Sequence, residues 1–238
     1  MQAAEKTKKD YGLRHLAVIM DGNRRWAKSK NLPSLEGHRA GVSALKKLVE
    51  YCPGYGIKDL TAYTFSTENW NRKETEVNFL LSLLGEVAAR ELRNLDKENV
   101  RVNFIGDLTA FQDSKLYSVL QELQETTANN TGLNLHIALN YGSIDELKKA
   151  KEKIQNELST KEIEKLDEKQ FNNFLYTKDV PYPEVVLRTG GEKRLSNYLL
   201  WQAADSELQF IDTLWPDFSE EHLLECLNNY ASVIARSE

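Results

Sequence analysis

Short apolar runs alternate with longer amphipathic ones along the whole chain, and that alternation leaves few folds open. The first apolar run, Leu16 to Met20, is β-branched at Val18 and Ile19 and bounded by Gly22, the pattern of a fully buried strand. The spacing then predicts a helix from about Ala40 to Tyr51, a strand in "DLTAYTFS", and a helix from about Glu74 to Leu95. A strand "VRVNFIG", a helix from about Thr109 to Thr127, a strand "LNLHIALNYG" and a helix from about Ile144 to Leu158 follow. The strand "PEVVLRTGG", a helix after Ser196, the strand "LQFID" and a helix near Glu220 to Ile234 complete the expected order. Strands alternating with helices imply an α/β chain: a single domain with a central, mostly parallel sheet flanked by helices. The start, "MQAAEKTKKDYG", reads as a flexible tail over residues 1–12, leaving 13–238 as the domain. The charged stretch Glu157 to Gln170 reads as a solvated helical excursion rather than a boundary.

With 238 residues the chain can bury a large core. Its formal net charge of -5 argues against nucleic acid as a partner, so any anion site must be a local basic pocket. No apolar run approaches the roughly 18 residues of a membrane span, and the start lacks the apolar segment of a secretory signal. Cys52 and Cys226 form no metal or redox motif, so two free thiols in a reducing cytoplasm are expected.

In open α/β sheets the ligand site lies beyond the carboxyl ends of the strands. Here those ends carry "MDGNRRW", "FSTENWNR", "NYGS" and "RTGGEKRLSN". In the first, a loop opening a helix favours phosphate, and the arginines agree with that. Asp21 does not, unless a divalent cation stands between carboxylate and phosphate; the other reading is that Asp21 caps the helix and pairs with an arginine. "RTGGEKRLSN" sets Arg188, Arg194 and Ser196 around a glycine pair, a set that suits a diphosphate. "FSTENWNRKETE" packs more hydrogen-bonding side chains around Trp70 than a helix cap requires, so it reads as a binding loop. The helix from Glu74 is apolar on more than one face, which fits core plus a dimer interface or the wall of an apolar tunnel. Among the histidines, His38 in "EGHRAG" is the functional candidate.

"HLAVIMDGNRRWAK", "GHRAG", "TFSTENWNR", "NTGLNLHIALNYG", "LRTGGEKRLSNYLLWQ" and "SELQFIDTLWPDF" resemble, in order, the cis-prenyltransferases, the undecaprenyl diphosphate synthase family. The resemblance runs from His15 to about Tyr230. It implies an allylic starter such as farnesyl diphosphate, extended by isopentenyl diphosphate with Z geometry and Mg²⁺, in an apolar substrate tunnel. Carried over residue by residue, Asp21 is the essential carboxylate, and Gly22, Asn23 and Arg25, with Arg24 and Trp26 beside them, cradle the allylic diphosphate. His38 sits by that diphosphate, and Ser66, Glu68, Asn69, Trp70, Arg72 and Glu76 form a loop that orders over the substrates. Arg188, Arg194 and Ser196 hold the isopentenyl diphosphate, and Glu207 shares the metal with Asp21. The proton acceptor stays open between Asp21, an Asn69 and His38 relay, and a diphosphate oxygen.

The chain also departs from the family pattern. Ser34 stands where an arginine is usual, Ser143 and Ile144 replace a glycine and an arginine, and the end "YASVIARSE" keeps only Arg236 of a basic closing stretch. A homodimer is expected, with a hetero-oligomer or a non-catalytic subunit that activates a partner as the alternatives, and with membrane contact only peripheral, through the lipid product. The helix from Val77 to Leu95 is then the expected tunnel wall, with Leu133, Leu135, Ile137 and Leu139 of the strand as its far wall; Val42 and Thr64 stand where small residues are common in the long-chain enzymes, and with the bulkier Leu139 they narrow the tunnel toward a product shorter than undecaprenyl.

Overall fold

A computed structural model describes residues 8–237. In chain order its elements are β1 (His15–Ile19), α1 (Asn23–Ser29), α2 (Ser34–Tyr51), β2 (Asp59–Ser66), α3 (Glu74–Lys97), β3 (Arg101–Ile105) and α4 (Lys115–Thr127). They continue with β4 (Asn134–Tyr141), α5 (Ser143–Glu157), the short α6 (Thr160–Ile163) and α7 (Glu168–Asn172), then β5 (Val185–Arg188), β6 (Glu207–Phe210) and α8 (Glu220–Ser237). The strands form one sheet of order β3-β4-β2-β1-β5-β6, and every pairing is parallel. β1 lies in the interior of that order and is buried at every residue, which is why its sequence is continuously apolar rather than alternating.

The strand pleat sorts the core into two layers. Leu16, Val18, Leu60, Leu135 and Leu187 face the larger layer, which α2, α3, α4 and α8 cover. Ala17, Ile19, Ala138 and Val186 face the smaller one, closed by Tyr198, Leu199 and Ala203.

Two expectations are corrected here. The segment after Ser196 is no helix: 196–205 is a chain of turns, with Ser196, Asn197 and Leu199 at φ 50°, 62° and 46°. Left-handed residues cannot continue a right-handed helix, and side-chain contacts hold them there. The Tyr198 ring stacks on Tyr63 at 4.3 Å and its hydroxyl donates to the Thr61 carbonyl at 3.0 Å. The expected tail falls partly on residues 1–7, outside the described residues. Lys8 is not loose, since its N–H donates to the Gly54 carbonyl at 2.7 Å and its ammonium pairs with Glu220. A smaller shift concerns α4, which begins at Lys115; the preceding Leu108–Phe111 is a 3-10 turn capped by Asp107, which accepts from the Thr109 N–H.

Candidate active site

β1 and β5 lie side by side with Ile19 level with Arg188. From β1 the chain turns toward β2, whereas β5 leads outward to β6, so a crevice opens between their carboxyl ends. Asp21 leaves one strand and Arg188 ends the other, and the guanidinium donates from Nη2 to Asp21 Oδ2 at 2.8 Å. Its other terminal nitrogen donates to Ser196 Oγ at 2.7 Å and to the Arg194 carbonyl at 2.6 Å. Arg25, from the first turn of α1, reaches Asp21 Oδ1 at 3.1 Å and donates to the Gly190 carbonyl at 2.6 Å. Gly190 has φ +84°, and a Cβ there would sit 2.5 Å from the Arg25 guanidinium, so this glycine lets the two loops close on each other. Burial works to raise the Asp21 pKa, but the hydrogen bond and charge of Arg188, helped by Arg25, outweigh it and hold the carboxyl below its ordinary range.

The "GHRAG" run acts through its glycines. A Cβ on Gly37 would lie 2.0 Å from the Asn23 carbonyl oxygen, and one on Gly41 2.4 Å from Asn23 Oδ1. Their absence lets α2 pack directly on the start of α1, with His38 beside the crevice. His38 Nε2 is 3.7 Å from Glu76 Oε1, and Arg72 donates to the same carboxylate oxygen at 2.8 Å. Burial, then the nearby Arg72 charge, push the His38 pKa down against the pull of Glu76, so the ring is neutral near pH 7. Three side-chain atoms at this mouth, Asn23 Oδ1, His38 Nε2 and Arg188 Nε, are buried without a hydrogen-bond partner. Such groups cost free energy unless something completes them.

The loop after β2 is tied to both sides of the crevice. Asn69 Oδ1 accepts from the Ser66 N–H at 3.1 Å in a capping box. Glu68 accepts from Asn197 Nδ2 at 2.7 Å, while Asn197 Oδ1 accepts from the Ile144 N–H at 2.8 Å. Asn197 is a site residue that sequence reasoning missed: its signal was its place beside Ser196, hidden by the expectation of a helix. Thr189 is another, donating to the Asp21 carbonyl at 2.7 Å. Trp70 donates to Asn140 Oδ1 at 2.7 Å and meets Phe65 edge-on at 5.3 Å.

A cavity of about 790 Å³ runs inward from this mouth through the larger core layer. Asp21, Asn23, His38, Ser66, Glu68, Asn69, Arg72, Arg188, Arg194 and Ser196 line its polar end. Val42, Thr64, Leu135 and Ile137 line it as expected, whereas Leu133 and Leu139 are buried in the core outside its lining.

Several expected site residues lie elsewhere. The Trp26 indole donates to Asp217 at 2.7 Å and Arg24 is exposed, and neither lines the cavity; nor do Gly22, Arg25, Trp70 and Glu76, although Arg25 pairs with Asp21 and Glu76 with Arg72 at its mouth. Glu207 opens β6 level with Val185, at the far end of the strand from Arg188 and Asp21. Its Oε1 accepts from Gln209 at 2.9 Å, and it lines a separate surface groove. The protomer therefore does not bring Glu207 to Asp21, and no cluster of three acidic, histidine or cysteine donors suited to a metal occurs among the described residues.

The matches to known proteins cover this arrangement. Residues 19–237 match the family model described as "Putative undecaprenyl diphosphate synthase". The chain is 45% identical over 222 residues to an isoprenyl transferase of Clostridium acetobutylicum, covering 91% of this chain and 86% of that one. It is 45% identical over 219 residues to the ditrans,polycis-undecaprenyl-diphosphate synthase ((2E,6E)-farnesyl-diphosphate specific) of Micrococcus luteus, covering 91% and 88%. Among solved structures, the lavandulyl diphosphate synthase of Lavandula x intermedia, in complex with dimethylallyl diphosphate, superposes with a TM-score of 0.86 at 29% identity over 93% of this chain and 96% of that one. With its arginine-bearing mouth, its apolar cavity and these relatives, the chain belongs to the undecaprenyl diphosphate synthase family of cis-prenyltransferases, the isoprenyl transferases.

Proposed function

We propose that this protein condenses isopentenyl diphosphate onto an allylic diphosphate such as farnesyl diphosphate, with Z geometry, releasing diphosphate and lengthening a polyprenyl chain. The observation that carries the reading is the set of buried, unpartnered polar atoms, Arg188 Nε and His38 Nε2 among them, at the mouth of a cavity walled beyond it by leucine, valine and isoleucine. An anionic head with a long apolar tail completes both halves. Breaking the allylic C–O bond builds negative charge on the leaving diphosphate, and fixed donors aimed at that charge lower the barrier. Asn23 and the Arg25 guanidinium suit the allylic diphosphate, while Arg188, Arg194 and Ser196 suit that of the incoming isopentenyl group. Asp21, a relay from Asn69 to the neutral His38 ring, and a diphosphate oxygen are the candidates to take the proton that the isopentenyl unit loses as its new double bond forms.

The donor set fits Mg²⁺ in the manner that ion prefers, one or two carboxylates completed by substrate phosphates and water. Asp21 would hold it, and the ion would neutralise developing diphosphate charge. Glu207 is too distant within the protomer to share it. We also assign the outer edge of β6 as the place for a second copy: the strand ends the sheet, and Leu208 and Val233 stand exposed in the groove beside it. No helix among the described residues is long and apolar enough to cross a membrane.

The test is incubation of purified protein with farnesyl diphosphate, labelled isopentenyl diphosphate, Mg²⁺ and detergent, with Asp21→Ala as control and extracted products resolved by length. Labelled polyprenyl product that vanishes in the control supports the reading, and an undecaprenyl-length product rules out the expectation of a shorter one. Binding of farnesyl diphosphate without turnover favours a non-catalytic subunit instead.

A further inference from the structure

The apolar cavity has a second polar feature, at the end away from Asp21. α2 and α3 flank it side by side and touch through two ionisable pairs. At the mouth, His38 Nε2 lies 3.7 Å from Glu76; further along both helices, Lys46 Nζ lies 2.9 Å from Glu91 Oε2. Between the two pairs the walls are Val42 and Leu45 of α2 and Leu80, Leu84 and Val87 of α3. Val102, Leu123 and Leu135 make the floor apolar. Away from the mouth the polar residues of the lining are Lys46, Glu50, Glu91, Asn94 and Glu98, from α2, α3 and the residue that follows α3.

Glu91 does not behave as an ordinary surface acid. Its side chain is only 7% exposed, yet it is fully hydrogen-bonded, by Lys46 at 2.9 Å, by Arg90 Nε at 2.9 Å and by Asn94 Nδ2 at 3.0 Å. Lys46 is 45% exposed on its solvent side, so it can swing away while Glu91 stays anchored. Burial opposes ionisation of Glu91, but Asn94, Lys46 and Arg90 hold its pKa down at about 2, so its carboxylate is charged throughout the ordinary pH range. A carboxylate held in this way resists displacement by hydrocarbon, because removing its partner leaves a buried charge uncompensated.

We propose that the Lys46–Glu91 pair, which bridges α2 and α3 in the wall of the hydrocarbon cavity away from its mouth, is a length stop that a longer prenyl chain must break to pass. The inference rests on the prenyl diphosphate reading above. Its scale follows from the helix. Fifteen residues separate Glu76 from Glu91 on α3 and eight separate His38 from Lys46 on α2, about 22 and 12 Å at 1.5 Å per residue. A residue's three backbone bonds span at most about 3.5 Å, so the four chain bonds of an isoprene unit span about 4.5 Å. An extended tail therefore meets the pair after about three to five units.

The test measures dissociation constants, in detergent, for prenyl diphosphates of three, five and eight isoprene units. It uses the wild-type protein, Lys46→Ala, Lys46→Arg and the double variant Lys46→Met with Glu91→Leu, each checked by its thermal unfolding curve. Lys46→Ala truncates an exposed side chain and leaves the other bonds of Glu91 in place, so it gives an answer even where the double variant does not fold. Expected is a wild-type preference of tenfold or more for five units over eight, kept in Lys46→Arg and abolished or reversed in Lys46→Ala and the double variant. The same preference in wild type and Lys46→Ala, or none in wild type, overturns the stop. Failure of the wild-type protein to bind any of the series overturns the prenyl diphosphate reading itself.

Discussion

Asp21→Asn separates the two tasks the carboxylate has in this site. The change keeps the shape of the side chain and removes its charge. Arg188 spends Nη2 on Asp21 Oδ2 at 2.8 Å, and its side chain is only 5% exposed. A diphosphate arriving without metal must share that guanidinium with a carboxylate that repels it. Releasing one charge-assisted hydrogen bond makes about 1.5 to 3 kcal/mol available to the incoming anion, or about ten- to a hundredfold in affinity. The Arg25 contact at 3.1 Å adds little, because both side chains are partly exposed and screened. With excess chelator, Asp21→Asn is therefore expected to bind farnesyl diphosphate more tightly than wild type. With Mg²⁺ the sign reverses for turnover: the residue that would hold the ion is gone, and a loss of several kcal/mol in charge stabilisation lowers the rate by about a thousandfold. Titration calorimetry in chelator and in Mg²⁺, with single-turnover condensation rates, reads both arms. Weaker binding of Asp21→Asn in chelator would refute the competition argument, and an unchanged rate in Mg²⁺ would refute the metal assignment.

Gly37→Ala should destabilise the fold by roughly 3 kcal/mol, the upper part of the overpacking range, because its Cβ would meet backbone 2.0 Å away rather than a side chain that can swing aside; urea unfolding measures it. Ser34→Arg places a guanidinium one helical turn before His38, on an exposed position at the start of α2. It is expected to tighten binding of the allylic starter by about ten- to a hundredfold, and unchanged affinity refutes the expectation. Burial, then the neighbouring His136 charge, lower the His15 pKa to about 4. The unfolded chain therefore binds a proton near pH 6.5 that the folded one refuses. Stability is complete above that pH and falls as pH drops toward 4, by roughly 2 kcal/mol between pH 7 and 5. Denaturant midpoints at both pH values should show this slope in wild type and a flatter one in His15→Asn.

The strands were legible because a parallel sheet buried on both faces leaves an unmistakable apolar run, as β1 does in "HLAVI". The chemistry of the crevice was legible because Asp21, Arg188 and Ser196 are residue types with few reasons to collect beyond strand ends. Position across the sheet was not. Glu207 is a carboxylate in a suggestive run, but no local pattern says that β6 pairs in a register that puts its first residue level with Val185. Trp26 failed for a related reason: an indole beside an arginine pair looks like a ligand contact until Asp217, far along the chain, turns out to accept its N–H.

The segment from Ser196 shows what local spacing cannot weigh. "SNYLLWQAA" has helical spacing of apolar residues, and helix propensity contributes less than about 1 kcal/mol per residue. Against it stand the stacked, fully buried Tyr198 ring and its bond to the Thr61 carbonyl. Asn197 adds its contacts, through side chain and carbonyl, to Glu68, Ile144 and Ser143. Several buried contacts of this kind exceed the cost of a few left-handed residues, about 1 to 2 kcal/mol each. The same turns keep Ser196 within 2.7 Å of Arg188 and join the loop of Glu68 to the opposite wall of the crevice. A helix in their place would direct these side chains along its own surface, so the local rule is broken where two loops from different strands must meet across the crevice.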